Sequence, residues 1–113
     1  MLVLNRFSVP PDTSDGFVEQ AHAALAALAG CTGYVSGRLA RAVEDTSCWT
    51  LVTEWESVGA YRRSLGAFDV KVNATPLLAR SLDEPSAFET LASAGPGGPV
   101  RTGSSDRAAD PGR

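Results

Sequence analysis

The chain begins with an apolar segment, residues 2–9, in which only three side chains are polar. Its length is typical of a β-strand, and the pair Pro10-Pro11 ends it, because proline cannot donate to a strand ladder. Side chains alternate between the two faces of a strand, and here both faces carry large apolar residues. The segment therefore predicts a first strand that has to be covered on both sides.

The residues that follow alternate between helical and extended patterns. Apolar residues recur at helical spacing in an alanine-rich segment that polar cap candidates precede. Two segments rich in β-branched and aromatic residues flank a polar turn, Glu44 to Ser47, and predict a hairpin. Ser57 is suited to cap a helix and Pro76 to interrupt one. The predicted elements are a helix over 15–29, strands over 34–44 and 48–56, a helix over 58–65, a helical stretch from 68 to about 82 and a strand over 86–91.

This order of elements, β-α-β-β-α-β, predicts an α+β ferredoxin-like fold with a four-stranded antiparallel sheet and both helices on one face. The other face of the sheet would be bare. The first strand is apolar there too, since Leu2 and Leu4 oppose Val3 and Phe7. We expect a second copy of the chain to cover that face, which predicts a homodimer packed sheet against sheet.

The length of 113 residues indicates one domain, which we place at residues 1–91. Residues 92–113 are rich in Gly, Pro and Ser and show no apolar periodicity, so they predict a flexible C-terminal tail. The glycine cluster at 95–98 follows no buried strand, opens no helix and lacks the GK[ST] ending of a phosphate loop. We therefore expect no nucleotide binding there.

Composition excludes several classes of function. A net charge of -3 offers no basic surface for nucleic acid. No apolar stretch is long enough for a membrane span and no signal-peptide pattern is present, which predicts a cytoplasmic protein. Cys31 and Cys48 are too few for a disulfide framework and predict reduced, largely buried thiols. His22 lies beside the apolar stripe of its helix, where we expect an exposed imidazole, and it offers little for a metal site or a catalytic triad.

Asn5 and Trp55 are the strongest candidates for function. An amide inside an apolar strand costs about 1–3 kcal/mol if it is buried without a partner, so either an internal hydrogen bond or a ligand has to account for Asn5. Trp55 ends the third predicted strand, and both side chains are expected to point into one pocket. Strand alternation places other candidate wall residues on the same side: Val3 and Phe7 beside Asn5, and Trp49, Leu51 and Thr53 beside Trp55.

The predicted helices contribute further candidates for substrate binding. Tyr61 is either a proton donor or acceptor in the pocket or a core residue that shares a helix face with Leu65. Asn73 either adds a second amide or caps the helix that restarts at Thr75, and Phe68 is a further candidate for the wall. On the opposite face of the first strand, Arg6 is expected to form an ion pair with Glu54 or Glu89.

Three segments carry a resemblance to a known family: Leu4-Asn5-Arg6-Phe7, then Thr53-Glu54-Trp55-Glu56-Ser57 with Ala60-Tyr61 after it, and Asn73-Ala74-Thr75-Pro76-Leu77-Leu78. Over roughly residues 2–91 the chain resembles the antibiotic biosynthesis monooxygenase family, whose members form dimeric α+β barrels. The resemblance implies the same fold and assembly for this chain.

The Asn-Arg-Phe opening most resembles the oxygenases of aromatic polyketide pathways. In those enzymes the first-strand asparagine and the tryptophan ending the third strand line the substrate pocket, which implies catalytic roles for Asn5 and Trp55. The implied activity is a monooxygenase that needs no cofactor or metal and uses O2 to convert an anthrone or hydroquinone to a quinone. In the haem-degrading branch a helical histidine binds iron, whereas residues 68–74 contain none, so haem ligation by imidazole is not expected.

Two other functions remain open. One is an oxygenase that cleaves a carbon–carbon bond of an angucycline-type ring with reduced flavin or hydroquinone as reductant. The other is a dimer that binds an aromatic ligand without catalysis. Some relatives carry a second asparagine four residues before the tryptophan, where this chain has Leu51, and this departure favours the two alternatives.

Overall fold

A computed structural model of the chain describes residues 1–103. The strands alternate with helices in the predicted order, and the long helix follows a single 3-10 turn at Pro11–Thr13. The elements are β1 (Leu2–Ser8), α1 (Ser14–Ala29), β2 (Tyr34–Arg41), β3 (Cys48–Trp55), α2 (Val58–Ser64), α3 (Phe68–Asn73), α4 (Thr75–Leu78), β4 (Ala87–Phe88), β5 (Ala92–Ser93) and β6 (Arg101–Thr102).

The first four strands form an antiparallel sheet in the order β2-β3-β1-β4. The central pair, β1 and β3, is in register along its length, with Val3 opposite Thr53 and Asn5 opposite Leu51. This topology confirms the α+β ferredoxin-like fold predicted from the order of elements.

The core lies between the helices and one face of this sheet, which we call the inner face. The odd-numbered residues of β1, starting at Val3, and those of β3, ending at Trp55, are buried there. The even-numbered residues of both strands are half-buried or exposed. On the other side of the core, α1 packs Phe17 against Phe7 and Trp49, with ring centroids 5.1 and 5.4 Å apart. Strand alternation therefore correctly predicted which side chains share the inner face.

Gly33 fixes the distance between the sheet and α2. Its φ of +89° lies in the left-handed region, which favours glycine. A Cβ at this position would stand 2.5 Å from the Cβ of Ala60. The carbonyl of Gly33 also accepts a hydrogen bond from the Glu56 backbone at 2.8 Å. The close approach of α2 to the start of β2 thus depends on the missing side chain.

Several element boundaries differ from the prediction. β2 ends at Arg41 rather than residue 44, because the hairpin closes with a hydrogen bond from Ala42 N to Cys48 O. β4 has only two residues, since it runs antiparallel to β1 and pairs Phe88 with Leu2, at the start of that strand. The helical stretch breaks after Asn73 and restarts as a four-residue helix.

Residues 92–102, within the predicted tail, contain two short strands. Here β5 and β6 pair antiparallel, with Ala92 opposite Thr102 and Ser93 opposite Arg101. The prediction for 104–113 falls outside the described residues, and the division into a domain of residues 1–91 and a tail of 92–113 stays a prediction.

The outer face of the sheet carries no helix. Leu2, Leu4 and Val52 are half-buried there, and Phe88 is 45% exposed. Elsewhere, His22 is exposed as predicted, and Cys31 and Cys48 are both free thiols that are half-buried rather than largely buried. No helix within residues 1–103 has the length and apolar character needed to cross a membrane.

Candidate functional site

An open cleft of about 430 Å³ lies beside β1, where the Asn5 side chain points to the inner face of the sheet. Its volume falls in the range typical of small-molecule sites. The wall combines aliphatic side chains with hydroxyl groups and one amide. The lining residues are Asn5, Tyr61, Leu65, Thr75, Leu78, Ala79, Ser81 and Ser86.

The amide in this wall belongs to Asn5, in the middle of β1. Its side chain is only 8% exposed because an odd-numbered position of β1 points to the inner face. Among the side-chain hydrogen bonds of residues 1–103, none involves this amide. Asn5 therefore makes no internal hydrogen bond within this part of the chain. Its amide is accessible from the cleft, because the fully buried side-chain polar atoms without a partner in the described residues belong to Trp49 (Nε1) and Thr50 (Oγ1). The amide is thus available to a ligand or to water.

Trp55 lies on the same face as Asn5 but not in the cleft. Asn5 is opposite Leu51, and Trp55 follows four residues later on β3, which is about 13 Å along the strand. The Trp55 side chain is 1% exposed, and its indole N–H donates to the Thr53 hydroxyl at 2.8 Å. The structure therefore does not bring the amide and the indole together, and the indole N–H already has an acceptor.

Tyr61 contacts both the cleft and the buried Trp55. It lines the cleft with Asn5, and its ring centroid lies 5.6 Å from that of Trp55. Tyr34 packs edge-on against Trp55 at 5.4 Å. Burial raises the pKa of the Tyr61 hydroxyl above its ordinary value. At neutral pH this group is therefore protonated and suited to donate a hydrogen bond rather than to act as a base.

Four of the residues predicted for the pocket wall pack in the core instead. Phe7 and Trp49 contact Phe17 beneath α1. Leu51 is 1% exposed on the inner face, opposite Asn5. The hydroxyl oxygen of Thr53 accepts the hydrogen bond from the Trp55 indole N–H. None of the four lines the cleft.

Phe68 and Asn73 lie on α3, away from the cleft. Phe68 is 81% exposed. The Asn73 amide donates to the Asp69 carboxylate one turn earlier, and it borders a separate cavity of about 260 Å³ beside Arg80. Asn73 does not cap the restarted helix, because the N-cap of α4 is Ala74 and no side chain caps it.

Most of the cleft was not apparent in the sequence. Leu65 was recognisable from its helical spacing to Tyr61, but Ser81 and Ser86 come from an irregular segment. Arg6, next to Asn5, pairs with Glu84 of that segment and not with the predicted Glu54 or Glu89. No periodic pattern marks such residues, because their position depends on contacts with β1.

The chain has an α+β fold with a cleft whose volume is typical of small-molecule sites. The family model for antibiotic biosynthesis monooxygenase matches residues 1–71, more than half of the chain. The chain therefore belongs to the antibiotic biosynthesis monooxygenase family, and this membership supports a general monooxygenase role. No curated protein sequence matches the chain significantly.

Solved structures agree with this assignment. SnoaB, a cofactor-independent oxygenase from Streptomyces nogalater, is similar at 26% identity and a TM-score of 0.61, over 72% of this chain and 82% of that one. A conserved protein from Methanosarcina mazei has 19% identity and a TM-score of 0.63 over 76% and 84%. Rv0793 from Mycobacterium tuberculosis has 20% identity and a TM-score of 0.60 over 76% and 86%. The last two similarities concern the fold alone.

Proposed function

We propose that the protein is a cofactor-independent monooxygenase of antibiotic biosynthesis that oxidises a polycyclic aromatic polyketide, converting an anthrone or hydroquinone to a quinone. The observation that carries this proposal is the nearly buried amide of Asn5, which borders the cleft and has no hydrogen-bond partner among residues 1–103. The similarity to SnoaB supports the reaction class.

The reaction needs little from the protein beyond a site of this kind. An anthrone loses a proton from its reacting carbon, and the delocalised carbanion passes one electron to O2. The resulting radical and superoxide combine to form a C–O bond. Loss of the second proton from that carbon, together with cleavage of the O–O bond, leaves a carbonyl and releases water. One CH2 group and one O2 thus give one C=O group and one H2O.

Asn5 and Tyr61 are the groups that suit this chemistry. The Asn5 amide is placed to donate to the substrate oxygen on which negative charge develops, and one preorganised donor of this kind is worth about 2.7–4 kcal/mol. Tyr61 is a second donor, since its hydroxyl stays protonated at neutral pH. Leu65 and Leu78 supply apolar contact for a planar ring system.

Trp55 supports the site indirectly in this proposal. We infer that its ring holds Tyr61 in place from behind, because the two rings are in contact while the indole N–H is paired with Thr53. Its sequence-predicted role as a donor to substrate or peroxide would require that hydrogen bond to break first.

The proposal includes a homodimer in the cytoplasm, with an aromatic substrate and O2 as its partners. A second copy is the proposed cover for the outer face, where Leu2, Leu4 and Val52 are half-buried and Phe88 is 45% exposed. Burial of such a surface between two copies would remove apolar area from water.

One observation favours a second candidate function. Opposite Asn5 the register places Leu51, so the aliphatic neighbour offers no second amide for a substrate carbonyl. This favours either the oxygenase that cleaves a carbon–carbon bond with an added reductant or the non-catalytic dimer that binds an aromatic ligand. A ring-opened product that depends on reductant would identify the former, and binding without oxygen uptake the latter.

Oxygen uptake with dihydroxyanthrone tests the main proposal, with the autoxidation rate in buffer subtracted. The wild type should consume oxygen, and Asn5→Ala should lower kcat/KM by about 10²–10³-fold, the typical effect of removing one such donor. Asn73→Ala is the matched control, because it removes the same amide outside the cleft and should leave the rate unchanged. Equal rates for the wild type and Asn5→Ala would exclude this role for Asn5.

A further inference from the structure

One wall of the cleft is an irregular segment, residues 81–86, which we call the strap. It follows α4 and leads into β4. Ser81 and Ser86, the first and last residues of the strap, line the cleft, and the Ser81 hydroxyl donates to Leu78 O at 2.7 Å. Because the strap has no helix or strand of its own, contacts with the rest of the protein must determine where these two residues lie.

Two backbone hydrogen bonds tie the strap to β1. Leu82 N donates to Arg6 O at 2.8 Å, and Leu4 N donates to Ser86 O at 2.7 Å. The two β1 residues that make these bonds are the immediate neighbours of Asn5. The strap is therefore attached to β1 on either side of the residue whose amide enters the cleft.

A side-chain pair joins the same two segments on the outer side. The guanidinium of Arg6 makes two contacts with the Glu84 carboxylate, Nε with Oε1 and Nη2 with Oε2, the latter at 2.9 Å. Glu84 lies midway between the two backbone attachments. The Arg6 guanidinium also lowers the pKa of the Glu84 carboxyl, so the pair is ionised at neutral pH. A two-point contact of this kind fixes orientation as well as distance.

We infer that Arg6 and Glu84 are positioning residues, forming a clasp that holds the strap at the distance from Asn5 that the ligand needs. This inference rests on the proposed function of the cleft. Arg6 acts on the ligand through Ser81 and Ser86, while Asn5 on the other face contacts the ligand itself. The clasp is solvent-exposed, so its effect on ligand binding is small and sensitive to salt.

The test combines ligand binding with hydrogen exchange in the full chain. The variants are Glu84→Gln, which removes the charge but keeps the shape, and the double variant Arg6→Glu/Glu84→Arg, which reverses the pair. Asp83→Asn is the matched control, because it removes a charge from the same strap at a residue without an ion pair among residues 1–103. The probe is dihydroxyanthraquinone, which is stable in air.

We expect Glu84→Gln to raise the Kd for the quinone by up to about five-fold, the upper range for an exposed pair. Exchange of peptides that cover residues 79–86 should become faster in this variant. The charge-reversed pair should restore both values, Asp83→Asn should change neither, and added salt should weaken binding more in the wild type than in Glu84→Gln.

Unchanged exchange in Glu84→Gln, or faster exchange that charge reversal does not restore, would overturn the clasp. Faster exchange with an unchanged Kd would overturn its role in ligand binding. A wild type that binds no quinone would contradict the proposed function, whereas the exchange measurement would still decide whether the clasp holds the strap. The two failures are thus distinguishable.

Discussion

Asn5 and Trp55 lie on the same face of the same sheet, yet their polar groups are in opposite situations. The indole N–H of Trp55 is fully buried, has an acceptor in Thr53 and is enclosed by two tyrosine rings. Asn5 is 8% exposed as a residue, and its amide borders an open cleft and has no partner within residues 1–103. A hydrogen bond inside the core contributes to the stability of the fold, whereas an amide that borders an open cleft is available to bind a ligand or water.

The difference predicts that the two residues respond differently to substitution. Changes at Trp55 should act mainly on the free energy of unfolding, and changes at Asn5 mainly on catalysis. The following measurements either separate the two residues in this way or show that they act together.

The largest expected effect is the loss of stability in Trp55→Ala. Removal of a fully buried tryptophan costs about 3–5 kcal/mol in protein cores, and here it also leaves the Thr53 hydroxyl without its donor. Urea unfolding followed by circular dichroism measures the change. A stable Trp55→Ala variant without activity would contradict the comparison, because it would give the indole a direct role in catalysis.

Asn5→Ala should show the opposite profile. We expect it to lose about 2.7–4 kcal/mol of transition-state stabilisation, measured from kcat/KM. Its free energy of unfolding should change by less than about 1 kcal/mol, because the amide that is removed makes no hydrogen bond among residues 1–103. If the same unfolding experiment shows a large loss of stability, the amide has a structural partner and the comparison fails.

Thr53→Val tests whether the hydrogen bond to Trp55 is structural. The substitution keeps the shape but leaves a buried indole N–H without an acceptor, which costs about 1–3 kcal/mol. Thr53→Ser keeps the acceptor and serves as the control, with a smaller loss from the missing methyl group. Urea unfolding of both variants gives the difference in their free energies of unfolding. Equal stabilities would show that the hydrogen bond contributes nothing.

The smallest effect concerns Tyr61, which contacts both regions. Tyr61→Phe keeps the ring against Trp55 and removes the hydroxyl, so we expect kcat/KM to fall by up to about ten-fold, the net worth of one hydrogen bond. Burial raises the pKa of Tyr61 above 10.0, and only the protonated form donates. Donation by Tyr61 should therefore persist from neutral pH to above pH 10.0, and be lost only as the hydroxyl ionises.

The pH profile of kcat/KM checks this prediction. An alkaline decrease that is present in the wild type and missing in Tyr61→Phe would assign it to this hydroxyl. The same decrease in both proteins would assign it to the substrate or to unfolding. A decrease that is specific to the wild type and has its midpoint below the ordinary pKa of tyrosine would contradict the direction of the shift.

The sequence predicted the fold because its signals are local. Alternation placed Val3 and Thr53 on the inner face, and the cap at Ser57 was confirmed by its hydrogen bond from Ala60 N at 3.0 Å. Asn5 could be identified as a candidate because a single amide stands out in an apolar strand. These inferences need only the two-residue period of a strand or the first turn of a helix.

The rest of the site could not be predicted because it depends on tertiary contacts. The strap reaches the cleft through hydrogen bonds from β1 that no sequence period encodes. The sequence predicts Phe68 and Asn73 in the pocket wall, but both side chains on α3 are exposed and lie away from the cleft. Trp55 was assigned to the pocket although its acceptor, Thr53, lies two residues away on the same face of the strand. The hydrogen bond between Trp55 and Thr53 could have been predicted, because side chains two residues apart lie on the same face of a strand.

The contact between Gly33 and Ala60 has a practical consequence for engineering. Tyr61 follows Ala60 on α2, so any side chain at position 33 would displace the helix that carries this wall of the cleft. In the proposed enzyme, a substitution at Gly33 should therefore change the width of the cleft, and with it the range of substrates, although Gly33 itself does not line the cleft.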